Sequence, residues 1–113
     1  MVIDAPDVGD IVWVNFTPQS GKEQAGQRPA LVLSPRSYNT KSGLMIVCPI
    51  TSKSKGYVFE VALPDGLAVN GVVLADHVKS IDWTSRSANI VGQVSDEVLI
   101  HVRAKIKALL LIE

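Results

Sequence analysis

The sequence predicts a mainly β protein, a small barrel of short antiparallel strands finished by one C-terminal α-helix. Three observations lead there. Short apolar runs recur as far as residue 93, each bounded by Gly, Pro, Asn or Asp. From Ser95 the apolar spacing changes from that of a strand to intervals of three and four, which is helical. A chain of 113 residues, 47% hydrophobic and 19% charged, suits one compact domain over residues 1–113 with a modest core.

In order along the chain, residues 10–16 form a first strand, with Val12, Val14 and Phe16 on one face and Ile11 and Trp13 on the other. Apolar residues on both faces predict that it is covered on both sides. Pro18 and Gly21 end it, and the polar loop through Gly26 is expected to be mobile. Ala30–Leu33 is a second strand that Pro29, with no N–H to donate, can only open. Residues 34–43 are turn-rich, with a single helical turn around Arg36–Tyr38. Leu44–Ile50 is a third strand, and the alternation of Tyr57, Phe59, Val61 and Leu63 makes a fourth over 57–63. Pro64-Asp65-Gly66 and Asn70-Gly71 are turn chemistry. Shorter strands follow at 71–75, 78–81 and 90–93. The final helix starts at Ser95 as N-cap, with Asp96 and Glu97 at the positive end of its dipole and Arg103, Lys105 and Lys107 nearer the other end. These elements make an SH3-like barrel.

Composition narrows the function. No apolar run reaches the roughly 18–20 residues of a membrane span, and Met1–Asp10 is not a signal sequence, so a cytoplasmic protein without a membrane role is expected. A single cysteine, Cys48, sits inside an apolar run and reads as a buried inert thiol. With only His77 and His101 beside it, no zinc spacing exists, and neither metal nor cofactor is expected. His101 falls on the terminal helix and reads as a surface residue. Net charge is zero but uneven: residues 21–60 carry about +4 and the remainder about −4. That is compatible with a basic groove, or with an ordinary solvated face.

Four strings carry more. GDIVWV at 9–14, EQAGQRPA at 23–30, LVLSP at 31–35 and SKGYVFEV at 54–61 together resemble the MazF/PemK toxin family, small bacterial endoribonucleases paired with an antitoxin. The resemblance covers nearly the whole chain. It implies the CcdB/MazF-type SH3-like barrel, a homodimer, and single-stranded RNA as substrate. It also implies a MazE-like antitoxin whose acidic C-terminal tail blocks the RNA site. DNA would be met only indirectly, through the antitoxin complex.

RNA can break its own chain when the 2′-hydroxyl attacks the neighbouring phosphate. Such a ribonuclease needs a proton acceptor, a cation for the phosphorane charge, and an acid for the departing 5′-oxygen. Arg28 suits the cation role because its planar fork matches two phosphate oxygens. Thr51 can hydrogen-bond the same phosphate. The residues alone leave Arg28 open to an ion pair with Glu23 that merely tethers a loop; in the family the arginine of the E-Q-x-G-x-R-P motif and the threonine ending the third strand are tied to catalysis, and by motif these are Arg28 and Thr51. Glu23 would accept the proton or orient Arg28. His77 stands where the family commonly has glutamine; an RNA contact, a dimer seam and a plain rim histidine are open, and no catalytic role follows. Gln24 and Asn39 are suited in type to read bases. Lys53, Lys55 and Lys79 are phosphate candidates, as is Arg86, and Tyr38 or Trp83 could stack on a base.

The function expected is therefore the toxin of a type II toxin–antitoxin pair, a metal-independent, sequence-specific endoribonuclease. It would leave 2′,3′-cyclic phosphate and 5′-hydroxyl ends. The alternatives are a non-catalytic SH3-like nucleic-acid-binding module and a gyrase poison on the same fold. Against the second, the chain ends Leu-Leu-Leu-Ile-Glu, without the tryptophan near the C-terminus on which the CcdB gyrase poisons depend.

Overall fold

The computed structural model describes residues 4–16 and 26–113. The elements are β1 (Asp10–Asn15), β2 (Gln27–Val32), α1 (Arg36–Ser42), β3 (Leu44–Thr51), β4 (Glu60–Ala62), β5 (Val72–Leu74), β6 (Lys79–Asp82), β7 (Asn89–Gln93) and α2 (Asp96–Leu109). All pairings are antiparallel, in the order β4-β5-β3-β2-β1-β7. β6 lies on β3 along Leu44–Val47, and β5 takes over the same edge at Ile50–Thr51. Pro49, which has no N–H to donate, stands between those two ladders, the place where a proline costs a central strand least. Among the described residues β4 and β7 do not pair with each other, so the barrel is open at that seam.

Alternation along the central strands builds two cores. Ile11, Leu31, Cys48 and Ile50 pack with Val61, Val73 and Ala75 under Val98, Leu99 and Val102 of α2. Val12, Val14, Ala30, Val32, Met45 and Val47 point the other way and close around Phe16 and Ile81. The first strand is thus covered on both faces, as its sequence suggested. Trp13 is the exception at 40% exposed, where it borders a surface cleft.

Three local expectations need correction. Ser95 occupies the N-cap of α2, but its hydroxyl makes no capping bond; the first-turn charges of Asp96 and Glu97 are there. The helical turn near Arg36 is longer than expected and runs to Ser42, where Gly43 in the left-handed region (φ 74°) ends it. The fourth strand is reduced to Glu60–Ala62, and Tyr57 and Val58 precede it on the surface. Among the described residues no helix is long and apolar enough to cross a membrane.

Candidate functional site

The β2–β3 ladder pairs Val32 with Val47, Leu31 with Cys48, and Ala30 with Pro49, and then stops. Continued two residues further, the same register sets Arg28 against Thr51. Both residues line one cleft of about 580 Å³, together with Lys53, Lys55, Tyr57, Glu60, Leu74, Asp76 and His77. Arg28 also borders a second, less charged cleft of about 360 Å³ that includes Trp13, Gln27, Ser52 and Asn70.

Thr51 is nearly buried, and its position is set from both sides. Val72 of β5 pairs with it, and Gly71 packs so tightly beneath that an added Cβ would stand 2.1 Å from the Thr51 carbonyl oxygen. The Lys53 N–H donates to Thr51 Oγ1 at 3.2 Å, which leaves the hydroxyl hydrogen to donate outward.

The loop that carries the two lysines is held by a carboxylate. Glu60 accepts from Ser54 Oγ at 2.7 Å, from the Lys55 N–H at 2.9 Å and from the Gly56 N–H at 3.1 Å. The Lys55 N–H contributes most to holding the Glu60 carboxyl below its ordinary pKa, with Ser54 next. On the far side Lys105 of α2 donates to the Val58 carbonyl. The Lys55 ammonium lies 6.0 Å from the Tyr57 ring centre. A depressed carboxylate pKa makes the clamp fully present above the ordinary value and lost as pH falls through the lowered one, so the loop loosens only in acid, below the range where an ordinary glutamate titrates. Glu60→Gln, whose amide N–H₂ would face N–H donors, should speed hydrogen exchange of the Lys55 and Gly56 amides roughly 3–10-fold at neutral pH. Unchanged exchange would show that the loop does not need its clamp.

The structure thus brings Arg28, Thr51, Lys53 and Lys55 together. It does not bring Lys79, which is on β6 opposite Val47, its ammonium 5.9 Å from the Phe16 ring centre and outside the cleft lining. Asn39 is a correction. It is fully buried, donating to the carbonyls of Pro6 at 2.7 Å and Ser34 at 3.0 Å and accepting from Ser34 Oγ at 2.6 Å. Its amide is consumed in fixing α1 and has nothing left to offer a base. Trp83 is likewise structural, its indole N–H donating to the Asn39 carbonyl at 2.8 Å. Arg86 reaches back to the Asn15 carbonyl. Glu23 and Gln24 lie outside the described residues.

Sequence reasoning missed Tyr57, Glu60 and Asp76, and gave His77 no catalytic role. Tyr57 and Glu60 belong to the SKGYVFEV string, which in sequence offers only Lys55 as a contact residue. Asp76 and His77 arrive by the β5–β6 turn, where the His77 N–H bonds the Leu74 carbonyl at 3.0 Å. Beneath this turn Cys48 is buried; burial first, and the Asp76 charge second, push its thiol up to about 12, so it stays protonated and inert.

Comparison with known proteins places this geometry. Residues 7–110 match the family model described as PemK-like, MazF-like toxin of type II toxin-antitoxin system. The chain is 52% identical over 105 residues to the endoribonuclease toxin MazF of Escherichia coli K12, covering 93% of this chain and 94% of that protein. A crystal structure of MazF from Deinococcus radiodurans superposes with a TM-score of 0.93 at 56% identity, covering 96% of this chain and 98% of that one. A MazE-MazF crystal structure from the same organism gives 0.83 at 53% identity, over 94% and 95% of the two chains.

Proposed function

The chain belongs to the PemK-like, MazF-like family of type II toxins and has the family's endoribonuclease function, and from that premise we propose that it cuts single-stranded RNA with the RNA's own 2′-oxygen as nucleophile. The observation that carries this reading is the cleft itself, which gathers Arg28, Thr51, Lys53 and Lys55 in one lining beyond the end of the β2–β3 ladder. Arg28 holds two oxygens of the phosphate and takes up the extra charge of the phosphorane. Thr51 donates its free hydroxyl hydrogen to the same group. Glu23 accepts the 2′-proton or orients Arg28, and Lys53 and Lys55 guide the neighbouring phosphates on their clamped loop. The P–O5′ bond then breaks and the 2′,3′-cyclic phosphate forms.

Incubating the purified protein with a long mixed-sequence RNA in EDTA, then mapping the ends, tests this. Discrete cuts with 2′,3′-cyclic phosphate upstream and 5′-hydroxyl downstream are expected. Ends with a 5′-phosphate would mean water, not the 2′-oxygen, is the nucleophile. Base-independent binding without any cuts would instead favour the non-catalytic module.

The protein has an antitoxin partner, in keeping with the MazE-MazF structure it resembles. The toxin acts as a homodimer, and the antitoxin's acidic tail lies in the Arg28–Lys53–Lys55 cleft. Complex formation should therefore weaken with salt and compete with RNA. Simultaneous binding of tail and RNA, without mutual loss of affinity, would rule out the shared cleft.

A further inference from the structure

The reaction proposed above leaves one task unassigned, protonation of the departing 5′-oxygen. Arg28 and Thr51 hold the phosphate, and a threonine hydroxyl is far too weak an acid to finish the step. We propose that His77 is the general acid: a ring N–H of its imidazolium delivers a proton to O5′ as the P–O5′ bond breaks. This rests on the reading of the cleft as the RNA-cleaving site.

Placement carries the inference. His77 lines the same cleft as Arg28 and Thr51, and its side chain is 33% exposed and so open to substrate. Its backbone is tied into the turn after β5, and its Nε2 lies 3.9 Å from Asp76 Oδ1, so the charged form has a counter-ion. The other charged and titratable groups lining the cleft are Arg28 from β2, Lys53, Lys55 and Tyr57 from the loop after β3, Glu60 from β4, and Asp76 from its own turn. Guanidinium, ammonium and phenol groups as classes release protons poorly at neutral pH, whereas imidazole does so readily. Glu60 is held ionised by its three donors and has no proton to give. Among the described residues of this cleft, imidazole is the one group chemically suited to the step.

The balance is simple. A bond forms between the 2′-oxygen and phosphorus as the 2′-proton leaves to a carboxylate. The P–O5′ electron pair goes to O5′, which takes the proton from His77. The neutral imidazole recovers a proton from solvent or from the protonated carboxylate before the next turnover.

A substrate with sulfur in place of O5′ at the scissile bond separates this role from binding, because a thiolate leaves without a proton. On ordinary RNA, His77→Gln and His77→Ala should lower kcat about 10²-fold with KM little changed. On the 5′-sulfur substrate both variants should cut within a few-fold of wild type, whereas Arg28→Ala should stay slow on either. Equal losses on the two substrates, a loss confined to KM, or full activity of His77→Gln on ordinary RNA would each overturn the assignment. A wild-type protein that leaves no cyclic phosphate would remove the underlying reading, and this one with it.

Discussion

Arg28→Ala is expected to slow RNA cleavage by about 10²–10³-fold while the protein stays folded and still binds RNA. That is the usual loss when one preorganised charge contact to the transition state is removed. The phosphorane carries one more negative charge than the substrate, so the guanidinium interacts more strongly with it than with bound RNA, and kcat falls more than affinity. Thr51→Ala should follow at a similar order, having lost its donor to the same phosphate. Arg28→Lys should recover little, because an ammonium is a point charge and cannot repeat the two parallel N–H bonds of the fork. Single-turnover rates with a defined oligonucleotide, and binding measured on an uncleavable analogue, separate the two quantities. Near-normal rates for Arg28→Ala would leave the register argument without chemistry.

Among the glycines of the described residues, Gly71→Ala should be the most damaging substitution. Gly71 has φ +120°, and the new Cβ would meet the Thr51 carbonyl oxygen at 2.1 Å and the Ser52 Cα at 2.9 Å. Backbone cannot rotate out of the way as a side-chain tip can, so the end of β3 must shift and carry Thr51 with it. A cost of about 2–4 kcal/mol is expected, which lowers Tm by roughly 10 °C. Cleavage should fall even at temperatures where the variant remains folded. Gly66→Ala is the control: φ is +93°, but a Cβ there meets nothing within 4 Å. It carries backbone strain alone, about 1–2 kcal/mol, and should leave the cleavage rate as it was. If Gly71→Ala loses stability but cuts RNA at the normal rate, Thr51 does not depend on this packing.

The central strands were legible because alternation and burial agree in them. Ile11, Leu31 and Cys48 fall on one face and Val12, Ala30 and Val47 on the other, so each strand declared both of its cores. The change of period at Ser95 showed α2 as clearly. The fourth strand misled for a physical reason: Tyr57 to Leu63 alternates well, but Tyr57 and Val58 are exposed, and the Glu60 carboxylate binds the Ser54 hydroxyl and the Lys55 and Gly56 N–H groups of the loop before it, so pairing starts only at Glu60. Asn39 misled differently. An amide looks the same in sequence whether it faces a base or satisfies two buried carbonyls, and only the path of Pro6 and Ser34 decides. Arg28 and Thr51 could each be picked out singly, by motif. That they share one cleft needed the β2–β3 pairing, and that Asp76 and His77 join them needed the β5–β6 turn.

The central claim is that RNA supplies the nucleophile and Arg28 and Thr51 supply only position and charge. The direct measurement uses an otherwise all-RNA oligonucleotide with a single 2′-deoxyribose at the nucleotide before the scissile bond. It should bind the wild-type protein with an affinity close to that of the all-RNA parent and remain uncut. Cleavage of that oligonucleotide at the same bond would contradict the account.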